Sequence, residues 1–261
     1  MITVIKLGGN IIDDEIQLND FLHQLANLSG KKILVHGGGK SATALSEKLG
    51  INSEMINGRR VTNAETLKLI TMVYAGWINK SVVAKLQSMQ CNAIGLSGAD
   101  GNLVKSQKRS PSPIDYGFVG DPIENEINAD LLLNLLANGF VPVIAPVTHD
   151  GNGQLLNTNA DTMASVIAAA ISKKEKVQLL YCFEKNGVLK NVEDNQSFFT
   201  ELKKEQTDEL SAKGNIHSGM LPKLKAGFSA RKNGVSRVAI GNAMALEKLA
   251  SENSQCTLLE L

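Results

Sequence analysis

Residues 2–9 read Ile-Thr-Val-Ile-Lys-Leu-Gly-Gly, a β-branched apolar run that carries one lysine and ends in two glycines. Such a run is typical of a strand buried in a parallel sheet. Open α/β sheets bind ligands at the carboxyl ends of their strands. The pattern therefore predicts Lys6 at the rim of a site, where Gly8 and Gly9 let backbone N–H groups approach an anion. From these residues alone, Lys6 can equally be an ordinary strand-end lysine in solvent.

A second unit of the same kind follows. Residues 32–36 (Lys-Ile-Leu-Val-His) predict a strand, three glycines come next, and a helical pattern runs on to Gly50. Strand, glycine turn and helix in succession are typical of an α/β fold with a parallel sheet. Further along we expect a capping box at residues 62–65, an exposed hairpin or loop at 105–121 and mainly helix at 198–213. The polar run at 173–176 predicts the boundary between two lobes, 1–172 and 173–261.

The composition excludes several classes of function. The chain has 261 residues, a formal charge of +1 and only 4% aromatic residues, which argues against a nucleic-acid or membrane surface as its main partner. Its three cysteines lie far apart, with no histidine at metal-ligand spacing, and read as free thiols in a reducing compartment. No signal peptide and no apolar run of the ~20 residues that span a bilayer is present. These features predict a soluble cytoplasmic protein without a metal site.

The two common phosphate-binding motifs do not fit the glycine turns. Residues 39–41 (Gly-Lys-Ser) match the end of a P-loop, but the first glycine that this motif requires would stand at Leu34, inside the strand. The dinucleotide pattern GxGxxG also fails, because its sixth position is Ala42 and no acidic partner follows at the right spacing. The two turns instead predict a cradle for a phosphate or carboxylate at one edge of the sheet.

Other polar residues are candidates for the same edge. Arg60 could present its guanidinium to a substrate carboxylate, although a surface arginine is the simpler interpretation. Residues 157–161 (Asn-Thr-Asn-Ala-Asp) place two amides and a carboxylate before a helix, where Asp161 could also serve only the helix dipole. Lys223 lies near a helix start, where a positive charge is unfavourable unless an anion is present. His36 reads as a structural histidine rather than a base.

Taken together, these motifs resemble the amino acid kinase family, and within it the kinases of N-acylglutamate. The matching segments occur in the family's order over essentially the whole chain: 6–9 (Lys-Leu-Gly-Gly), 36–39 (His-Gly-Gly-Gly), 58–62 (Gly-Arg-Arg-Val-Thr), 157–161, 184–189 (Glu-Lys-Asn-Gly-Val-Leu) and 219–223 (Gly-Met-Leu-Pro-Lys).

The resemblance implies a three-layer αβα sandwich with a mainly parallel central sheet, in which residues 1–172 bind the acylated amino acid and dimerise and residues 173–261 bind ATP. The reaction would phosphorylate the side-chain carboxylate of an N-acylglutamate, with acetyl or succinyl as the acyl group, in arginine biosynthesis; Mg²⁺ would enter with ATP. By the same resemblance Lys6 and Lys223 stabilise the transferred phosphoryl group and Asp161 orients them. The substrate-binding residues are Gly38, Gly39, Arg60 and Asn157, and the nucleotide-binding residues are Gly8, Gly9, Glu184, Lys185, Asn186, Gly187, Val188, Leu189, Asn215, Ile216 and His217.

One departure from the family pattern and two alternatives remain open. Glu184 stands where many relatives have an aspartate. Members inhibited by arginine carry an extra helix before the first strand, for which this sequence has no room, so we expect a homodimer that arginine does not inhibit. The alternatives are a kinase of carrier-protein-linked aminoadipate or glutamate, and a non-catalytic ligand-sensing member of the fold.

Overall fold

The computed structural model describes residues 1–51, 54–56, 59–191, 193–212, 216, 219–251 and 255–261. Its strands are β1 (Ile2–Leu7), β2 (Lys32–His36), β3 (Met55–Ile56), β4 (Arg59–Arg60), β5 (Ala93–Ser97), β6 (Val104–Lys108), β7 (Gly120–Ile127), β8 (Val141–Ala145), β9 (Val147–His149), β10 (Leu155–Asn157), β11 (Val177–Phe183), β12 (Glu201–Lys203), β13 (Arg237–Asn242) and β14 (Thr257–Glu260).

The helices pack on both faces of the sheet that these strands build. They are α1 (Gly9–Ile12), α2 (Glu15–Asn27), α3 (Gly39–Lys48), α4 (Ala64–Ile70), a π-helical segment (Thr71–Ile78), α5 (Asn79–Ser88), α6 (Ala129–Ala137), α7 (Ala160–Ser172), α8 (Lys204–Ala212), α9 (Leu221–Lys232) and α10 (Leu246–Ala250). Within the described residues, no helix is long and apolar enough to cross a membrane.

The described strands form a main sheet in the order β12-β14-β13-β11-β1-β2-β8-β5. Every neighbouring pair in it is parallel except β13 and β14. Strand β1 lies between β11 and β2, so the carboxyl ends of these three strands meet at one edge. The predicted sandwich with a mainly parallel sheet is confirmed.

Two apolar layers cover the two faces of the sheet. Successive side chains of β1 point alternately into one layer and the other. Val4 belongs to the layer that packs against α7 and α9, whereas Ile5 and Leu7 belong to the layer that packs against α2, α4 and α5. Lys6 follows the alternation onto the α7 and α9 face. This face receives the first residues of α7 and α9, so the strand register brings Lys6 to both helix starts.

A smaller sheet, in the order β10-β9-β6-β7, and the β3–β4 hairpin lie over the same edge. Strands β6 and β7 are antiparallel partners, so the predicted hairpin at 105–121 exists. It is not a peripheral loop, however, because its connection carries Arg109 and Val119 into the wall of a cavity.

One local prediction was wrong and one was incomplete. Helix α4 is capped by Asn63, whose side chain accepts a hydrogen bond from the N–H of Thr66 at 2.8 Å, and not by Thr62. Thr62 is fully buried, and its hydroxyl instead links the Arg60 carbonyl to Asn157. The segment predicted as mainly helical at 198–213 begins with the edge strand β12 before α8, because pairing with β14 overrides its weak helical pattern.

Candidate active site

A cavity of about 740 Å³ opens at the carboxyl edge of β1, β2 and β11. Fifteen of the predicted site residues line it: Lys6, Gly8, Gly9, Gly38, Gly39, Arg60, Asn157, Asp161, Glu184, Lys185, Gly187, Val188, Leu189, Ile216 and Lys223. Asn186 lies beside the cavity without lining it, and Asn215, His217 and the glycine at 58 lie outside the described residues. The structure thus brings together residues that are more than two hundred positions apart in sequence.

The floor of the cavity is a carboxylate held between two ammonium groups. Oδ1 of Asp161 lies 2.8 Å from Nζ of Lys6 and 3.0 Å from Nζ of Lys223. All three residues are buried, with exposed fractions of 7–8%. Strand β1 supplies the first lysine, and the first turns of α7 and α9 supply the aspartate and the second lysine. The cluster carries one positive charge in excess, which suits a bound anion.

Electrostatics within the cluster favour the ion pairs. Desolvation alone would raise the pKa of Asp161, but Lys6 and Lys223 together outweigh it and hold that pKa well below its usual value. The pKa of Lys223 is lowered, first by its burial and then by repulsion from Lys6, while Asp161 acts in the opposite direction. The local conflict between Lys223 and its helix start is therefore relieved in part by a carboxylate from another helix.

Aromatic residues of β11 fix the position of the second lysine. Nζ of Lys223 lies 5.3 Å from the ring centroid of Tyr181 and 5.8 Å from that of Phe183, distances at which a cation is attracted to the ring face. The Tyr181 hydroxyl donates a hydrogen bond of 3.1 Å to the backbone carbonyl of Asp161. One strand thereby holds both members of the Asp161–Lys223 pair.

The two glycine turns lie side by side at the carboxyl ends of the neighbouring strands β1 and β2. The N–H of Gly8 is anchored to the Cys182 carbonyl at 2.9 Å. A side-chain carbon on Gly9 would come within 3.8 Å of the Gly39 N–H nitrogen. Gly38 has a φ of +153°, and a Cβ there would lie 2.3 Å from Cδ1 of Ile78. Only glycine fits at position 38, because the backbone there packs against the side chains of Ile78 and Tyr74.

His36 at the end of β2 is a buried structural residue, as the sequence indicated. Its Nδ1–H donates to the Gly37 carbonyl at 2.9 Å, which leaves Nε2 to accept from the amide of Asn79 at 3.1 Å. The same amide nitrogen donates to the Val143 carbonyl at 2.9 Å. This chain of bonds ties the second glycine turn to α5 and β8 and requires a neutral imidazole.

We expect the stability of the fold to fall in mild acid because of His36. Burial lowers its pKa from 6.5 to about 4. Between these two pKa values the unfolded chain binds a proton at His36 and the folded chain does not. The contribution of His36 to the free energy of unfolding is therefore fully present above pH 6.5 and is lost as the pH falls towards 4. The contribution is on the order of 3 kcal/mol. Urea unfolding at pH 7 and pH 4.5 should show a smaller pH dependence in His36→Gln than in the exposed control His23→Gln. An NMR titration giving His36 an ordinary pKa would contradict this prediction.

Arg60 and Asn157 lie together on the side of the cavity away from β11. Nη2 of Arg60 donates to the Gly39 carbonyl at 3.1 Å and to Oγ1 of Thr43 at 2.8 Å. The Asn157 amide donates to Thr62 at 3.0 Å. Arg60 is therefore positioned by the helix that follows the second glycine turn, and the interpretation as a surface arginine is excluded by its exposed fraction of 8%.

The segment 184–189 forms the opposite wall and is held by β14 and by neighbouring loops. The N–H of Val188 donates to Oγ1 of Thr257 at 2.8 Å. Asn186 uses its amide nitrogen on the Asn195 carbonyl and its amide oxygen to accept from Asn242, each at 3.2 Å. Asn186 thus supports this wall without facing the cavity. Oε1 of Glu184 accepts from the amide of Asn10 at 2.9 Å, which links this wall to the first glycine turn.

Several lining residues were missed by the sequence reasoning. Tyr74 of the π-helical segment lies against Arg60, which donates a hydrogen bond to its phenol, although burial still raises the pKa of Tyr74. Arg59 and Arg109 line the same end. Arg59 stands beside Arg60 in the sequence and Arg109 lies in a basic segment, so a signal existed for both. Nothing in the sequence pattern marks Tyr74.

Comparison with known proteins agrees with this geometry. The sequence profile described as "Amino acid kinase family" matches residues 1–242. The chain belongs to the amino acid kinase family. It is 52% identical to an acetylglutamate kinase of Cytophaga hutchinsonii over 96% of this chain and 94% of the relative. It is 50% identical to one of Phocaeicola vulgatus over 95% of each chain, and 39% identical to one of Methanopyrus kandleri over 92% of this chain and 94% of the relative.

Solved structures show the same amino acid kinase fold. A protein of Streptococcus mutans superposes with a TM-score of 0.80 at 26% identity, covering 99% of this chain and 98% of the other. A carbamate kinase of Giardia lamblia bound to AMP-PNP superposes with a TM-score of 0.69 at 14% identity, over 99% and 98% of the two chains, and shows the fold alone. Family membership makes this chain a kinase with ATP as its co-substrate.

Proposed function

We propose that this chain is an N-acylglutamate 5-kinase, which transfers the γ-phosphoryl group of ATP to the side-chain carboxylate of N-acetyl- or N-succinyl-L-glutamate in arginine biosynthesis. The observation that carries the proposal is the convergence of Lys6 and Lys223 on Asp161, in the same cavity that the two glycine turns line. The names of the relatives, acetylglutamate kinase over nearly the full chain, support the choice of substrate.

The chemistry needs no general base, because a carboxylate is already a competent nucleophile. Catalysis then consists of aligning two anions and stabilising charge on the transferred group. Lys6 and Lys223 supply that charge, and Asp161 keeps both ammonium groups in place through one carboxylate oxygen. The N–H groups of Gly9, Gly38 and Gly39 complete the cradle for phosphate and carboxylate oxygens, while the Gly8 N–H holds the first turn on the Cys182 carbonyl.

The two ends of the cavity bind different substrates. Arg60 and Asn157 bind the amino-acid part within residues 1–172, and the segment 184–189 with Ile216 binds the nucleotide within residues 173–261. In the described part of the chain, no group of three or more His, Cys, Asp or Glu side chains could hold a metal ion. The fit is therefore to Mg²⁺ that is held mainly by the phosphate oxygens of ATP and by water. Mg²⁺ would neutralise phosphate charge there.

We also propose that the protein is a homodimer that arginine does not inhibit. Trp77 and Met72 of the π-helical segment are 75% and 59% exposed, which is unusual for large apolar side chains unless a partner covers them. Sedimentation should give twice the chain mass of 28.0 kDa. A hexamer, or inhibition by arginine at cellular concentrations, would contradict this assembly.

Detection of the acyl phosphate tests the activity directly. Purified protein, ATP and Mg²⁺ are incubated with N-acetyl-L-glutamate, and hydroxylamine traps the product as a hydroxamate. The expected result is hydroxamate formation with release of an equal amount of ADP. Free L-glutamate and L-aspartate serve as negative substrates. Absence of hydroxamate with every N-acylglutamate tested would refute the proposed activity.

Arg60→Lys should raise the KM for the N-acylglutamate by about tenfold or more, because an ammonium group cannot make the paired bonds of a guanidinium with a carboxylate. The KM for ATP, which binds at the other wall, is the internal control and should change little. Steady-state kinetics with each substrate varied in turn measure both constants. An equal rise in the two KM values would place Arg60 in a general structural role instead.

A further inference from the structure

The amino-acid end of the cavity contains more positive charge than Arg60 provides. Arg59 and Arg109 line it as well. Arg109 is paired: its Nε lies 3.0 Å from Oδ2 of Asp121, its Nη2 contacts the other carboxylate oxygen, and its guanidinium lies 5.5 Å from the ring centroid of Tyr116. The carboxylate of Asp121 is therefore already engaged by Arg109.

Arg59 differs from Arg109 because its side chain makes no hydrogen bond and no ion pair within the described residues. It is nevertheless half-buried, and desolvation and the charge of Arg109 lower the pKa of its guanidinium, because they outweigh the opposite effects of Asp121 and Tyr116. The hairpin positions that the structure does not describe, 52, 53, 57 and 58, are Asn, Ser, Asn and Gly, so none of them carries a negative charge. Holding a partly desolvated cation beside another cation is unfavourable unless an anion joins them.

This inference rests on the proposed function, in which residues other than Arg59 bind both carboxylates of the glutamate part of the substrate. Its side-chain carboxylate goes to Lys6 and Lys223, and its α-carboxylate goes to Arg60. The acyl group is the remaining part, and Arg59, next to Arg60 in the cavity lining, is a cation that no other part of this substrate uses. Met55 and Val119 line the same end and offer apolar contacts for methylene groups.

We propose that the acyl group of the preferred substrate itself ends in a carboxylate, which Arg59 binds beside Arg109, so that the substrate is the glutamate monoamide of a short dicarboxylic acid such as succinate. Arg59 is then a specificity-determining residue that does not touch the reacting atoms. Met55 and Val119 contact the methylene carbons between the amide and this third carboxylate.

The charge of the acyl end can be tested without changing the protein. N-succinyl-L-glutamate is compared with N-succinamoyl-L-glutamate, which has the same shape but ends in a neutral amide, and with N-acetyl-L-glutamate. Hydroxamate formation gives kcat/KM for each. A charge-assisted hydrogen bond predicts that the succinyl compound exceeds the succinamoyl compound by about 10- to 100-fold. Equal values within about twofold, or a preference for acetyl over succinyl, would overturn the inference.

The variant Arg59→Gln tests whether Arg59 causes the preference for the succinyl compound. In Arg59→Gln the ratio of succinyl to succinamoyl kcat/KM should fall close to one, whereas Lys31→Gln, which removes the same charge from an exposed site outside the cavity, should leave the ratio and the activity unchanged. A ratio retained in Arg59→Gln with an unchanged melting temperature would overturn the assignment. If N-acetylglutamate is phosphorylated and the succinyl compound has no advantage, the kinase proposal survives and only this inference fails. If no acylglutamate is phosphorylated, both fail.

Discussion

Replacing Lys223 by alanine lowers kcat by about 10²–10³ and leaves the KM values of both substrates within a few-fold of wild type, by analogy with the removal of one oxyanion donor. The reason is that the ammonium group, 3.0 Å from Asp161 at the floor of the cavity, stabilises charge that develops only as the phosphoryl group is transferred. Steady-state kinetics by ADP release, checked by hydroxamate formation, measure the loss.

Lys225→Ala is the matched control for this variant. Lys225 lies two residues further along α9 and is exposed, so its removal changes the charge and the helix composition equally without touching the cavity. Its kcat should stay within about twofold of wild type, as expected for a surface substitution. Near-normal turnover of Lys223→Ala with bound substrate would show that the two-lysine mechanism is wrong.

The sequence predicted those parts of the fold that depend on local pattern. The apolar runs at residues 2–7 and 32–36, each ending in glycine, predict two parallel strands and their turns without knowledge of the rest of the chain, and the structure confirms both. Strand β12 was missed because it has only three residues, 201–203, too few for a period, and forms by pairing with β14. Local patterns could not reveal that pairing.

The sequence predicted only part of the site. Lys6 could be assigned to the rim of the sheet because it lies near the end of an apolar strand, and Asp161 because it begins a helix after a run of amides, but their contact with Lys223 was implied only by the family resemblance. Tyr74 and Arg109 were not predicted, because they reach the cavity through the π-helical segment and the small sheet. Their positions depend on how these elements pack over the main sheet, and no spacing in the sequence encodes that packing.

Asp161→Asn should reduce kcat/KM by about 10²-fold at pH 7.5, because a small misplacement of the two lysines is enough for such a loss. The variant keeps the size of the side chain and an acceptor oxygen but removes the charge that binds Lys6 and Lys223. Two buried ammonium groups then face each other without a counter-ion. Loss of one partner from a buried ion pair predicts a destabilisation of about 3–5 kcal/mol, measured by urea unfolding.

The pH dependence distinguishes loss of charge from loss of shape. In the wild type, Asp161 counteracts the desolvation that lowers the pKa of Lys223. Without the carboxylate that pKa falls further, so Lys223 loses its proton at lower pH and the alkaline limb of the kcat/KM profile moves towards neutrality. ATP, whose phosphates replace the missing negative charge, should restore more stability to Asp161→Asn than it adds to the wild type. An alkaline limb at the wild-type position would contradict the role of Asp161 as the counter-ion, and would mean that it orients the two lysines through geometry alone.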